Sequence, residues 1–286
     1  MITAMKTILF PTDFSPCAKH AFEYALNLSA RVDAQIVLLH VYQVPIVQGP
    51  VPGDILAETM EDIEKEAIEH MKAHQQNAER WAKATGTKPV RIQPKAQAGF
   101  TVQEIVAQAE VLNPYLVVMG TRGASGLRGV LIGSTASGVI AKSTVPVIVV
   151  PEEARFTGLE RIIYATDFEE ADRRWLQVLR ELAKLFGAKV MCVHVSTNGS
   201  IKDETNMEDL EKRLGIGATD TDVELDIVGG FDVTDALTRY AQEARADLIA
   251  MMAHRRNLID RLFTKSFTRK MTLHSHVPLM IFPEHP

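Results

Sequence analysis

Four short stretches of this chain recur, in the same order, in its second half. Ile8-Leu9-Phe10-Pro11-Thr12-Asp13-Phe14 returns as Ile162-Ile163-Tyr164-Ala165-Thr166-Asp167-Phe168, and Leu39-His40-Val41 returns as Val193-His194-Val195. Tyr115-Leu116-Val117-Val118-Met119 returns as Asp247-Leu248-Ile249-Ala250-Met251. The stretch from Val145-Pro146 to Pro151 returns from Val277-Pro278 to Pro283. The first two pairs lie 154 positions apart and the last two 132, so the second copy is 22 residues shorter, all lost between its second and third landmarks. An ordered set of this kind means two homologous domains in tandem, not a solenoid of small repeats. The expected boundaries are 1–152 and 158–286, each close to the common domain size of about 150 residues.

Within the first copy, short apolar runs alternate with helical patterns. Strands are expected at 7–10, 35–42, 91–96, 115–119 and 145–150, and helices at 16–31, 54–85, 101–112 and 134–143. That alternation predicts an α/β fold: a doubly wound, mainly parallel five-stranded sheet flanked by helices, with right-handed crossovers. The second helix is long. Pro52-Gly53-Asp54 offers a turn and an N-cap, Leu56, Met60, Ile63, Ala67, Met71, His74, Ala78 and Trp81 form one stripe, and Gly86 stops it. At 1.5 Å per residue it would span about 48 Å, more than one small domain covers. Its excess either packs on a neighbour or stands in solvent behind the charged run Glu58 to Glu66.

The chemistry concentrates between Val118 and Ser137. There Gly120-x2-Gly123-x9-Gly133-Ser134 leaves one apolar strand and opens one helix. Glycines at a strand exit let backbone approach a ligand without a Cβ in the way, and free N–H groups at the next helix start favour an anion. Glycines between a strand and a helix also simply make turns. No Gly-Lys-Ser/Thr follows, so this is not a Walker A loop, and Gly123-x2-Gly126-x2-Gly129 is not the dinucleotide fingerprint.

With the Val145-to-Val150 strand behind it, this motif resembles the ATP-binding signature of the universal stress protein family. Thr7 to Ser15 is similar to that family's first strand and Asp-containing loop, and Ile36 to Val41 to its second strand. The resemblance implies a sheet order of 3-2-1-4-5 in each domain, with the ligand at the switch between strands 1 and 4. It implies that Pro11 and Thr12 line the adenine, that Val41 contacts it through backbone, and that Asp13 sits by the ribose. Met119 and Gly120 would floor the ribose, Thr121, Arg122 and Gly123 would wrap the phosphates, and Gly133, Ser134 and Thr135 would supply helix N–H donors. Arg122 and Arg128 are candidate cationic donors. Mg²⁺ is expected with the ATP, Asp13 reaching it through water.

The second copy departs from the motif. Gly120, Gly123 and Gly133 become Met252, Arg255 and Lys265, and only Ser134 persists, as Ser266. Asp167 and Val195 remain, so this domain reads as degenerate and without ATP; Arg255, Arg256 and Lys265 offer a side-chain anion site as the alternative. Cys192-x-His194 and Cys17-x2-His20 are candidate half-sites for zinc with His254 or His276, against a shared structural role for His40 and His194. No nucleophilic triad stands out, so catalysis beyond slow ATP turnover finds no support.

The net charge of −5 falls wholly on the second half, since the first 150 residues hold thirteen basic and thirteen acidic residues. Neither half suggests a nucleic-acid surface. Two cysteines make no disulfide framework, and no signal peptide or membrane-length apolar run is visible, so a cytoplasmic location is expected. The final strands of the two copies are expected to pair antiparallel within one chain, and whole chains to form a homodimer through the long helix, with an unidentified protein partner. The functional expectation is a stress-responsive ATP-binding switch. The alternatives are a nucleotide-independent interaction scaffold and an adenylating enzyme on a related fold.

Overall fold

The computed structural model describes residues 5–43, 53–123, 132–169, 172–197, 199, 201–214, 222–253 and 277–284. In the first half, strands β1 (Lys6–Pro11), β2 (Ala34–Tyr42), β3 (Ile92–Ala98), β4 (Leu116–Gly120) and β5 (Val147–Val150) alternate with helices α1 (Pro16–Val32), α2 (Gly53–Thr85), α3 (Thr101–Leu112) and α4 (Ser134–Lys142). The second half continues as β6 (Arg161–Ala165), α5 (Asp172–Phe186), β7 (Lys189–Ser196), α6 (Ile201–Leu214), β8 (Val223–Gly229), α7 (Val233–Glu243), β9 (Leu248–Met252) and β10 (Leu279–Phe282).

The strands form one sheet in the order β3-β2-β1-β4-β5-β10-β9-β6-β7-β8. Each half therefore carries the expected 3-2-1-4-5 order. Every neighbouring pair is parallel except β5 and β10, which pair antiparallel with Val147, Ile148 and Val149 opposite Ile281, Met280 and Leu279. These are uncharged and fully buried strands. Left apart, each would present an unpaired apolar edge, and pairing removes both edges at once.

The sheet is buried on both faces, which is why its central strands read as continuous apolar runs. On one face, Ile8, Phe10, Ile36 and Leu38 share a core with α1, α2, α5 and α6 residues such as Leu28, Met71, Leu179 and Leu210. On the other, Leu9, Val37, Val117 and Val149 pack with Ile105, Val139 and Leu237 of α3, α4 and α7. Both cores run through the seam between the halves. Near that seam, the Phe156 ring stands 5.0 Å from Tyr24 of α1 and 6.1 Å from Phe186 of α5.

Two boundaries differ from expectation for physical reasons. The fifth strand starts at Val147, not Val145, because Pro146 offers no N–H to a ladder and restricts the residue before it. Ser143 instead closes a local turn, its hydroxyl donating to Val145 O at 2.7 Å and accepting from Val145 N at 3.2 Å. Helix α2 begins at Gly53, so Asp54 lies in its first turn and is not its cap; Pro52 falls outside the described residues. Along α2, Ala67, Met71, Ala78 and Ala82 are buried, whereas Leu56, Met60 and Ile63 are only half-buried. The shortened second copy replaces this 33-residue helix with the 14 residues of α6.

Candidate functional site

Where β1 and β4 leave the sheet in the middle of the first half, their loops diverge to opposite faces and open a crevice, as doubly wound sheets do at the switch in strand order. The crevice is a cavity of about 540 Å³. All twelve residues singled out from the sequence line it: Pro11, Thr12 and Asp13 from the β1 exit, Val41 from β2, Met119 to Gly123 from the β4 exit, and Gly133 to Thr135 from the start of α4. Ala18, Leu39, Thr101, Ile105 and Ala136 complete the wall. Leu39 was legible beforehand, since it shares the sheet face of Val41 two residues on. Thr101 and Ile105 carried no signal, because only the β3–β4 crossover brings α3 to the cavity. Arg128 lies outside the described residues.

The local geometry of the β1 exit is held by a small, repeated network. Thr12 Oγ1 accepts from Phe14 N at 3.0 Å, and Asp13 Oδ1 accepts from Ser15 N at 3.1 Å. His40 Nδ1 lies 2.8 Å from the Thr12 carbonyl, which can only accept, so this nitrogen carries the proton. Phe14 adopts a left-handed backbone (φ 61°) and packs its ring 4.6 Å from the His40 ring. Thr166, Phe168 and His194 repeat all of this except the Asp13–Ser15 bond, Glu169 N donating to Asp172 instead: a 2.9 Å bond to Phe168 N, a 3.0 Å bond from His194 to the Thr166 carbonyl, φ 67°, and rings 4.3 Å apart. The expected structural role of the paired histidines is therefore visible. Among the described residues no group of three or more His, Cys, Asp or Glu side chains is placed to hold a metal ion; His254 and His276 lie outside them.

Two of the glycines have identifiable neighbours. A Cβ on Gly123 would lie 2.6 Å from Asp13 Oδ2, and one on Gly120 would lie 3.0 Å from Cys17 Sγ. The first contact brings the β1 and β4 loops together at the cavity mouth; the second lets β4 sit against the α1 backbone. Gly133 has room by comparison, with Thr121 O the nearest atom at 3.4 Å.

Helix starts distinguish the two halves. Three helices among the described residues border the cavity: α1, capped by Ser15, and α3 and α4, which begin after Phe100 and Gly133 without a side-chain N-cap. The first turns of α3 and α4 thus reach the cavity with no side chain capping their N–H groups, and the positive ends of two helix dipoles lie there. Helix α7, the counterpart of α3, is closed by Asp232, whose carboxylate accepts from Thr234 N and Asp235 N.

In the second half, the positions equivalent to Ala18 and Gly120 carry buried side chains. Asp172 stands 154 positions after Ala18, and its carboxylate, 1% exposed, accepts from Tyr164 Oη (2.6 Å), Thr166 Oγ1 (2.6 Å) and Glu169 N (3.0 Å). Met252, the counterpart of Gly120, is 2% exposed. Burial and the Asp172 carboxylate push the Cys192 thiol up, so it stays protonated. Arg255, Arg256, Lys265 and Ser266 lie outside the described residues.

The sequence model of the universal stress protein family matches twice, over residues 5–151 and 158–283. The chain is 34% identical over 148 residues to Universal stress protein MJ0531 of Methanocaldococcus jannaschii, covering 51% of this chain and 81% of that one. It is 26% identical over 299 residues to Universal stress protein Slr1230 of Synechocystis, covering 97% of this chain and all of the relative. A crystal structure of a universal stress protein from Archaeoglobus fulgidus superposes with a TM-score of 0.70 at 22% identity, over 97% of this chain and 96% of that one, a likeness of fold. Among the described residues no helix is long and apolar enough to cross a membrane.

Proposed function

The chain belongs to the universal stress protein family, and from that premise we propose that it is a cytoplasmic, stress-responsive ATP-binding switch whose first domain, over 1–152, holds the nucleotide. The observation that carries this reading is the meeting of two uncapped helix N-termini at one cavity, beside the Gly120–Gly123 loop. Adenine and ribose fit the apolar end formed by Pro11, Leu39, Val41 and Met119, with Thr12 and Asp13 at its edge. The triphosphate fits the polar end, where Thr121, Arg122, Gly133, Ser134 and Thr135 offer donors. Mg²⁺ would be held chiefly by the phosphates, and Asp13 is the carboxylate among the described lining residues that reaches the cavity.

The second domain, over 158–286, acts in this reading as a structural partner without ATP. The buried Asp172 carboxylate places negative charge where the first domain has Ala18 and the cavity. Each charge-assisted hydrogen bond missing there is worth about 1.5–3 kcal/mol, or roughly tenfold to a hundredfold in affinity. Whole chains associate as homodimers through the outer half of α2.

Isothermal titration with ATP tests the assignment. The expected stoichiometry is one ATP per chain, falling to zero in Gly133→Val. A value near two, or binding that survives Gly133→Val, would sink it.

A further inference from the structure

Arg122 lines the cavity but is not satisfied where it stands. Its Nη2 lies 3.5 Å from Glu152 Oε2, with side chains 24% and 39% exposed. Its Nε is buried and has no hydrogen-bond partner among the described residues. A pair this long and this exposed holds weakly. A phosphate at the cavity's polar end presents the planar guanidinium with the bidentate acceptor that Glu152 does not supply.

Glu152 is no ordinary surface carboxylate in position. It lies two residues beyond the end of β5, in the segment that joins the two halves. Thr121 N donates to Val150 O at 3.1 Å, so the loop that carries Arg122 and the segment that carries Glu152 leave a shared hydrogen bond side by side. The joining segment then turns through Ala154 N to Pro151 O, braced by Arg155 Nη1 on the Glu152 and Ala154 carbonyls. It goes on to seat Phe156 between Tyr24 and Phe186, at the interface of α1 and α5.

We propose that Glu152 is an internal competitor for Arg122: it holds the guanidinium at the cavity wall until a phosphate draws it away, and so sets how strongly the site prefers phosphorylated ligands. The inference rests on the nucleotide reading above and adds to it a positioning residue outside the cavity lining. Occupancy of the phosphate end then frees Glu152 and loosens the turn at 151–155, which carries the state of the cavity into the junction between domains.

A double-mutant cycle with two ligands tests this. ATP and adenosine are titrated calorimetrically into wild type, Glu152→Gln, Arg122→Gln and the double variant. Glu152→Gln is expected to tighten ATP about threefold to fivefold, the upper range a weak ion pair commands, with adenosine within about twofold. In the Arg122→Gln background the same change should leave ATP within about twofold. Amide hydrogen exchange at 152–155 should rise with ATP in wild type and not in Arg122→Gln, a readout that a merely structural Glu152 would not move. Equal tightening in both backgrounds would reduce Glu152 to a background charge and overturn the competition, as would weaker ATP binding in Glu152→Gln. Absence of ATP binding by the wild type would overturn the nucleotide reading itself. Binding without coupling in the cycle would overturn this inference alone.

Discussion

A Cβ on Gly123 would sit 2.6 Å from Asp13 Oδ2, so the two loops at the cavity mouth meet because one of them carries no side chain. Gly123→Ala is expected to displace that carboxylate, the mobile end of a side chain, and to leave the melting temperature within about 2 °C of wild type. ATP binding should weaken about tenfold or more, a loss near 1.4 kcal/mol. Gly133→Val has ordinary contact distance at its Cβ and should also fold, yet its branches crowd the first N–H groups of α4. Thermal-shift titration reads both, and wild-type stabilisation by ATP in either variant would contradict the site. A third residue ties the site's surroundings to pH. His74 of α2 packs its ring 5.0 Å from Phe14, and burial, with Lys19 and His70 nearby, lowers its pKa below the ordinary histidine value of 6.5. The unfolded chain then binds the proton more readily than the folded one. Stability from this group is complete above about pH 6.5 and is lost as pH falls toward the lowered folded value. His74→Leu should therefore shrink the drop in melting temperature between pH 7.5 and 5.5, and an unchanged drop would assign the acid sensitivity elsewhere.

Helix α2 shows how one sequence stripe can serve two environments. Its period is continuous from Leu56 to Trp81, but only its C-terminal part reaches β2 and β3, where Met71 is fully buried. Met71→Ala should cost about 2–5 kcal/mol in chemical denaturation, whereas Ile63→Ala should cost under about 1 kcal/mol in the isolated chain. If the outer half of α2 is the homodimer face, Ile63→Asp should turn a dimer into a monomer by light scattering. A wild-type monomer at micromolar concentration would remove that assignment. Periodicity reports that a helix has an apolar stripe and where it lies; it does not report which part of the stripe finds a partner within the chain. The fifth strand teaches the same lesson on a smaller scale, since the apolar pattern began at Val145 but the ladder had to wait for the first residue after Pro146.

At the scale of the molecule, the antiparallel β5–β10 pair turns two sheets into one and carries both hydrophobic cores across the boundary. Neither half can lose that pair without exposing an apolar strand edge. Differential scanning calorimetry should accordingly give one transition, with calorimetric and van't Hoff enthalpies in agreement. Two resolved transitions would mean that the halves are held together by little more than their joining segment. The asymmetry between the halves also lives at this scale. One half keeps a crevice with two uncapped helix starts; in the other, Asp172 and Met252 stand buried at the positions of Ala18 and Gly120, and Asp232 caps α7.

The alternation of apolar runs and helical stripes, repeated in the same order in both halves, determined the two-domain α/β architecture, because burial on both faces of a parallel sheet leaves few other solutions for such a pattern. With the glycine motif and the family it resembles, it also pointed to the residues of the first crevice, since loops that leave strands 1 and 4 for opposite faces open one there. What only the tertiary structure decided are contacts between segments far apart in sequence: Gly123 against Asp13, Asp172 under Thr166 and Tyr164, α3 brought to the cavity wall, Arg122 facing Glu152. No local pattern encodes these, because each depends on how two loops or a loop and a helix are placed once the sheet has formed, and a side chain's partner is set by that placement and not by its neighbours along the chain.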